Sequence, residues 1–337
     1  MERADAAGPG APPRSPAVAL VGPTASGKSQ LARQVALSPR LLGPVELVSV
    51  DSMAVYQGMD IGTAKPTPEE RVGIDYHLLD LVEASEEFTV QQFQAAGQQA
   101  LAGIADRGHR ALLVGGTGLH LRSLVDGLVF PGRYRHVADS LEHSLDAAGP
   151  DGSEAQGRVL TALHHRLARL DPVAASRIEP SNRRRLVRAL EVTEGSGRLF
   201  SSSGPGLDRY PPTPVVLLGL APDPADTDRR IAERFERLMA RGLLEEVRAL
   251  ASRPGGLSRT ARQALGYREL LAHLETGVPL AEAVDETIRR TRAFARRQMA
   301  WFRRDPRIVW LDPEGDPVAS IVELFNHDPG GGAGVGD

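Results

Sequence analysis

The sequence predicts an α/β protein, a mostly parallel sheet flanked by helices and interrupted by an inserted helical domain. Short apolar, β-rich runs recur at Ala17–Val21, Val45–Val50, Ala111–Val114, Val215–Leu220 and Ile308–Leu311, most of them followed by sequence of helical period. Strand signals stop between Pro131 and Gly206, where charged Ala/Arg/Leu-rich patterns take over between two Gly/Pro/Ser-rich breaks. The length of 337 residues, 41% hydrophobic and 25% charged, exceeds one typical domain and suffices for a sizeable core. The expected organisation is a core of residues 16–130 and 207–327, an insertion at 131–206, and disordered tails at 1–15 and 328–337.

The first strand runs into Gly22-Pro23-Thr24-Ala25-Ser26-Gly27-Lys28-Ser29, a complete G-x-x-x-x-G-K-[ST] match, and then into a helix expected over Lys28–Leu37. Strand, loop and helix in that order make the core P-loop NTPase-like. Loop amides and the positive helix end cradle phosphate oxygens, Lys28 reaches the terminal phosphate, and the Ser29 hydroxyl can ligate Mg²⁺. The motif leaves open which polyphosphate binds. The second strand ends in Val50-Asp51-Ser52, at the sheet edge where ligands of such folds sit. Asp51 there reads equally as a carboxylate facing bound phosphates or as a helix N-cap. Gly58–Pro66 is rich in turn formers and reads as a surface loop. It holds Lys65, which with Lys28 makes up all the lysine in a chain of forty basic residues. A lysine kept where arginine is otherwise used marks a place for a compact ammonium.

After a helix expected over Val90–Arg107, the third strand delivers Gly115-Gly116-Thr117-Gly118 to the same edge, followed by a helix near Leu119–Asp126. The spacing is not that of a dinucleotide loop. It admits a ligand approaching backbone beside the Thr117 hydroxyl, or tight strand–helix packing. No hhhD Walker-B strand is evident, since Leu112-Leu113-Val114 ends in Gly rather than Asp, which weakens an ATPase reading, and His77, His164 and His165 read as surface or core histidines. From Asp226 the chain is mainly helical, broken near Pro254-Gly255-Gly256 and Gly277-Val278-Pro279. Arg289–Arg304 carries seven arginines and no acid. On a helical wheel Arg289, Arg292, Arg296 and Arg303 lie within about 60° of one another, beside Arg290, Arg297 and Arg304. This face points to nucleic-acid or polyphosphate contact, and Arg183-Arg184-Arg185 with Arg188 forms a second basic cluster.

Composition narrows the classes. With no cysteine, disulfides, thiolate metal sites and cysteine nucleophiles are excluded. No apolar run approaches the ~20 residues of a membrane span, and Met1–Pro16 has no apolar core of a secretion signal, so a cytoplasmic protein is expected. The net charge of −3 argues against a uniformly basic coat but allows local patches.

Together Gly22–Ser29, Val48–Met53, Gly58–Pro66, His77–Leu81, Leu113–Leu119, Arg188–Val192, Ala264–Arg268 and Arg290–Phe302 resemble, in order, the blocks of bacterial tRNA dimethylallyltransferases, also called tRNA isopentenyltransferases. Ala54, Gln57, His120 and Ser181-Asn182-Arg183 depart from the residues expected there. The resemblance implies an enzyme that transfers a dimethylallyl group from dimethylallyl diphosphate to N6 of the adenosine at tRNA position 37. It implies Asp51 as general base, Thr24 and Thr117 on phosphate or base, and Arg234 on the diphosphate. Ser52, Met53, Ala54, Arg184, Arg185, Arg188, Arg292, Arg296 and Arg297 are the expected tRNA contacts, with the insertion clamping the anticodon stem-loop. Mg²⁺ near Ser29 and a monomeric state complete the expectation. Two alternatives remain from the residues: a P-loop small-molecule or nucleoside kinase using ATP, and a nucleic-acid-binding protein that uses nucleotide as a switch.

Overall fold

In the computed structural model the described residues are 17–203, 206–207, 209–312 and 314–327; the expected tails lie outside them. The chain divides into two compact units, Met1–Gly127 with Tyr210–Asp337, and Leu128–Arg209.

In the first unit the order is β1 Val18–Val21, α1 Lys28–Ala36, β2 Val45–Val50, β3 Tyr56–Gln57, α2 Pro68–Arg71, β4 Tyr76–His77, β5 Val82–Glu83, α3 Val90–Asp106, β6 Arg110–Gly115 and α4 Gly118–Val125. The second unit supplies α5 Arg135–Ala147, α6 Glu154–Leu170, α7 Pro172–Ala175 and α8 Arg183–Ser196. The chain then returns to the first with β7 Val216–Gly219, α9 Pro224–Ala240, α10 Leu243–Ala251, α11 Tyr267–Thr276, α12 Leu280–Phe302, β8 Val309–Trp310 and α13 Pro317–Asn326.

Six strands form one sheet in the order β4-β2-β6-β1-β7-β8, every pair parallel, with Val18 opposite Leu112 on one side and Val216 on the other. All five apolar runs became strands of this sheet. A strand covered on both faces reads as a continuous apolar run, and β1 is buried at every position. Its residues alternate between two cores. Val18 and Leu20 pack with Leu31, Val35, Ile321 and Phe325 of α1 and α13. Ala19 and Val21 face Phe93, Ile104 and Leu121 of α3 and α4, in a core that extends to α9–α12.

The sixth strand, β4, escaped the sequence reading because two residues carry no periodicity. It is held by Glu46 of β2, a buried carboxylate that accepts from His77 Nε2 at 2.5 Å, His109 Nδ1 at 2.6 Å and Arg107 Nη2 at 2.7 Å. Burial opposes ionisation of Glu46, but the Arg107, His77 and His109 hydrogen bonds outweigh it and hold the carboxyl down at about 2. His77 is thus a partner of a buried acid rather than a loose surface group.

The second unit is a helical bundle around Leu141, Leu145, Leu163, Leu167, Leu186 and Leu190. Buried Asp171 caps α7 through the Ala174 amide and accepts the Ser201 amide at 2.8 Å. Arg183 binds Glu142, Asp146 and Asp151. Arg188 donates to the Pro131 carbonyl at 2.6 Å and pairs with Glu191 at 2.8 Å, so it braces the bundle. Arg184 and Arg185 project from the start of α8 and are exposed.

Candidate active site

The loop after β1 keeps its amides available because little of it is engaged internally. Gly27 takes φ 89° and Ala25 φ 62°, the left-handed conformations that let successive N–H groups converge. Glycine tolerates this freely; alanine there is strained. No side chain caps α1 and its first turn holds no acid, so the positive helix end stays unneutralised. Lys28 Nζ donates to the Pro23 carbonyl at 2.8 Å. Burial, then the Arg234 guanidinium, push the Lys28 ammonium down to about 8, against the pull of Asp51. Arg234 is itself lowered by burial against the pull of Asp51, and it reaches Thr24 Oγ1 at 3.4 Å. Two partly buried cations at one loop, with no acid on the first turn of α1, suit an anion there.

This end opens into a cavity of about 520 Å³. Thr24, Asp51, Ser52, Met53, Thr117 and Arg234 line it where the strands end; Ile231, Phe235 and Leu238 of α9 with Leu265 and Phe294 form an apolar wall; Arg268, Arg289, Arg290 and Arg297 line its basic side. Arg234 is followed by Phe235 on α9, so one helix presents both the cation and part of the apolar wall.

No helix follows Asp51, so in place of the N-cap it forms a turn: one oxygen accepts the Met53 amide at 2.8 Å and the Ala54 amide at 3.3 Å, while the residue lines the cavity. Ala54 is 4% exposed, in the core, so an RNA contact through its side chain is corrected; Ser52 and Met53 face the cavity. The glycines after β6 serve close packing. A Cβ on Gly115 would lie 2.0 Å from the Val50 carbonyl oxygen, and one on Gly118 would lie 2.1 Å from Trp301 Nε1. Thr117 lines the cavity and its hydroxyl does not cap α4.

The arginine helix begins upstream, at Leu280, and ends at Phe302. Its arginines, acid-free in their own stretch, meet partners on α9, on α11 and earlier on α12 itself. Arg292 donates to the Asp228 carbonyl, Arg296 reaches the Asp228 carboxylate at 3.3 Å, Arg290 pairs with Glu269 at 2.6 Å, and Arg289 pairs with Glu286. Arg297 instead lies 5.9 Å from the Phe294 ring centroid, at the cavity.

Sequence reasoning missed the opposite wall. Gly58–Pro66 is no ordinary surface loop: the Lys65 side chain is 1% exposed. Its ammonium donates to the Tyr56 carbonyl at 2.5 Å, Asp60 at 2.8 Å and Asp80 at 2.5 Å. Glu246 of α10 accepts the amides of Asp60, Ile61 and Gly62 and the Tyr267 hydroxyl. Burial, then Glu246, raise the Tyr267 phenol far above its ordinary value, so it remains a donor. Gly62, Thr63 and Tyr267 line the cavity. The scarcity of lysine and the resemblance of Gly58–Pro66 and Ala264–Arg268 to family blocks were the available signals.

No group of three or more His, Cys, Asp or Glu that could hold a metal occurs among the described residues. The donor offered here is the Ser29 hydroxyl at the start of α1. One hydroxyl beside a phosphate site suits Mg²⁺, which keeps water and substrate phosphates as most of its ligands.

A family model described as IPP transferase matches residues 54–305. The chain is 46% identical over 314 residues to the tRNA dimethylallyltransferase of Streptomyces coelicolor, covering 93% of this chain and 95% of that protein. It is likewise 46% identical over 320 residues to that of Kineococcus radiotolerans, covering 93% and 97%. Among solved structures, the full-length tRNA isopentenylpyrophosphate transferase of Bacillus halodurans superposes with a TM-score of 0.63 at 34% identity, covering 93% of this chain and 95% of its own. A eukaryotic dimethylallyltransferase acting on tRNA superposes with a TM-score of 0.69 at 25% identity, covering 92% and 78%. A phosphate loop, an acid at the end of β2 and an arginine-lined cavity thus occur in a chain that, by sequence and by fold, belongs to the IPP transferase family.

Proposed function

We propose that this chain transfers the dimethylallyl group of dimethylallyl diphosphate to N6 of the adenosine at position 37 of tRNA, releasing diphosphate. The observation that carries the reading is a cavity in which Thr24 of the phosphate loop with the Arg234 guanidinium beside it, an apolar wall and the Asp51 carboxylate meet. An allylic diphosphate needs the first two and an amine acceptor the third. The diphosphate lies in the Gly22–Ser29 loop, against its amides beyond Thr24 and against Lys28 and Arg234, and the dimethylallyl group lies along Ile231, Phe235 and Leu238. The C1–O bond breaks with its electron pair leaving on the diphosphate, where Lys28 and Arg234 stabilise the growing charge. The N6 lone pair forms the new bond to C1. The amine becomes acidic only as that bond forms, and its proton passes to Asp51. Thr24 and Thr117 orient phosphate and base. When bound, Mg²⁺ held at Ser29 adds positive charge against the diphosphate.

An adenine inside an anticodon loop reaches this cavity only unstacked from its neighbours. Ser52 and Met53 line its approach. Arg184 and Arg185 in the helical unit, with Arg292, Arg296 and Arg297, bind phosphates of the anticodon stem-loop, and the helical unit clamps the stem. The protein acts as a monomer in the cytoplasm; among the described residues no helix is long and apolar enough to cross a membrane. Membership of the family counts against an ATP-dependent kinase.

The test is incubation with dimethylallyl diphosphate, Mg²⁺ and an anticodon stem-loop RNA, followed by nucleoside analysis. Dimethylallyl-adenosine at position 37 is the expected product. Unmodified adenosine, with ATP consumed against a nucleoside acceptor instead, contradicts the reading.

A further inference from the structure

We propose that Gln298 is a positioning residue, which fixes the diphosphate loop against the Thr117 loop and ties both to helix α12. The side chain is buried, 8% exposed, yet both ends of its carboxamide are used. Oε1 accepts the Thr24 amide at 2.9 Å, and Nε2 donates to the Gly116 carbonyl at 2.8 Å. One planar group that donates and accepts therefore bridges the loop after β1 and the loop after β6.

The surroundings are shaped for this bridge. A Cβ on Gly116 would lie 2.3 Å from Gln298 Nε2. Trp301, three residues on and on the same side of α12, lies against Gly118. The two glycines thus seat one turn of the arginine helix, which accounts for both.

The phosphate loop needs an outside brace. It holds left-handed Ala25 and Gly27 with few bonds of its own, the Ser26 amide to the Pro23 carbonyl at 3.3 Å and Lys28 to the same oxygen. The Ser26 hydroxyl is buried without a partner. Because Gln298 takes the Thr24 amide, Thr24 offers the ligand its hydroxyl, and the amides that meet phosphate begin beyond it. Gln298 also sets the distance between the leaving group on one loop and Thr117 on the other. A misplacement of about 1 Å between reacting partners is enough to cost on the order of 10²-fold in rate.

Turnover as a readout rests on the function proposed above; binding of inorganic diphosphate does not. For Gln298→Leu we expect kcat to fall about 10- to 100-fold and inorganic diphosphate to bind about tenfold more weakly, with KM for the stem-loop RNA within about twofold. Gln298→Glu keeps the acceptor for Thr24 but, when ionised, loses the donor to Gly116. It retains the packing volume, and an intermediate loss is expected. Gly116→Ala strikes the same carboxamide from the other side, so the double variant Gln298→Leu/Gly116→Ala should be no slower than the slower single one. Additive losses in the double variant, or wild-type kcat and diphosphate affinity in folded Gln298→Leu and Gln298→Glu, would overturn the assignment. No prenyl transfer by the wild type, with weakened diphosphate binding in Gln298→Leu, would overturn the function and leave the positioning role standing.

Discussion

The two lysines of this chain stand in opposite circumstances. Lys65 gives its ammonium to three acceptors of the protein, the Tyr56 carbonyl and the carboxylates of Asp60 and Asp80. Lys28 has the Pro23 carbonyl, a second cation beside it in Arg234, and a pKa pushed down to about 8 by burial and then by that arginine. Both sites call for a point charge with convergent donors, which a planar guanidinium does not supply. At Lys65 the protein furnishes the anions, and the result is a braced wall of the cavity. At Lys28, on the proposed function, the anion is the substrate's and the lysine is a binding group. A buried charge is structural or functional according to who supplies its partner.

The largest expected effect lies on the functional side. Asp51→Asn should keep both substrates bound while kcat falls about 10²- to 10⁴-fold, the usual worth of a positioned base. Equilibrium binding beside single-turnover rates checks this, and near-wild-type turnover removes Asp51 from the mechanism.

On the structural side, Lys65→Met leaves two carboxylates and a carbonyl facing a methyl group. Because Asp60 is largely exposed and Asp80 about one-third so, a loss of about 2–4 kcal/mol is expected, short of the cost at a fully buried pair. Denaturant melts read it directly; unchanged stability would show that the wall does not depend on its lysine.

Glu46 extends the comparison to an acid supplied by protein partners. Its carboxyl is held at about 2 against an ordinary 4.5, so the ion contributes stability in full above about pH 4.5 and loses it as pH falls toward 2. Glu46→Gln should cost about 3 kcal/mol at pH 7, and the gap from wild type should close between pH 4.5 and 2. A gap independent of pH would contradict the assignment.

The smallest effect concerns the arginine helix. Each phosphate contact contributes about 0.7–0.9 to the slope of log K against log salt. Arg297→Gln should remove nearly that much for the stem-loop RNA, whereas Arg292→Gln and Arg296→Gln should each remove less because both already face Asp228. Equal slopes for all three would erase the distinction between partnered and open arginines.

What was legible in the sequence follows the range of the interaction. The phosphate loop was readable because its eight residues do their work locally. The five main strands were readable because burial on two faces leaves continuous apolar runs, while β4 depends on Glu46, thirty-one residues from His77. Asp51 was readable as an acid at a strand end, though its turn and its cavity could not be ranked until seen together. The arginine helix was visible by period, but its acids come from α9, α11 and its own first half, outside the acid-free stretch. Gln298 and Tyr267 fell inside blocks that carry the family resemblance, but nothing local assigned them a role, since the partners of Gln298 lie 182 and 274 residues away. Glu246 was hidden for the same reason. Lys65 was flagged by its rarity and by the block around it.

The most direct test of the contrast is a proton count at Lys28. At pH 8 an ammonium with a pKa of about 8 is about half deprotonated, and a bound diphosphate should raise it well clear of that range. Calorimetry of dimethylallyl diphosphate binding in buffers of different ionisation enthalpy should therefore show uptake of about half a proton per site in the wild type. Lys28→Arg, whose charge does not titrate there, should show weaker binding and no uptake. Binding without proton uptake in the wild type, or equal uptake in Lys28→Arg, would contradict the claim that the substrate's diphosphate completes the Lys28 site.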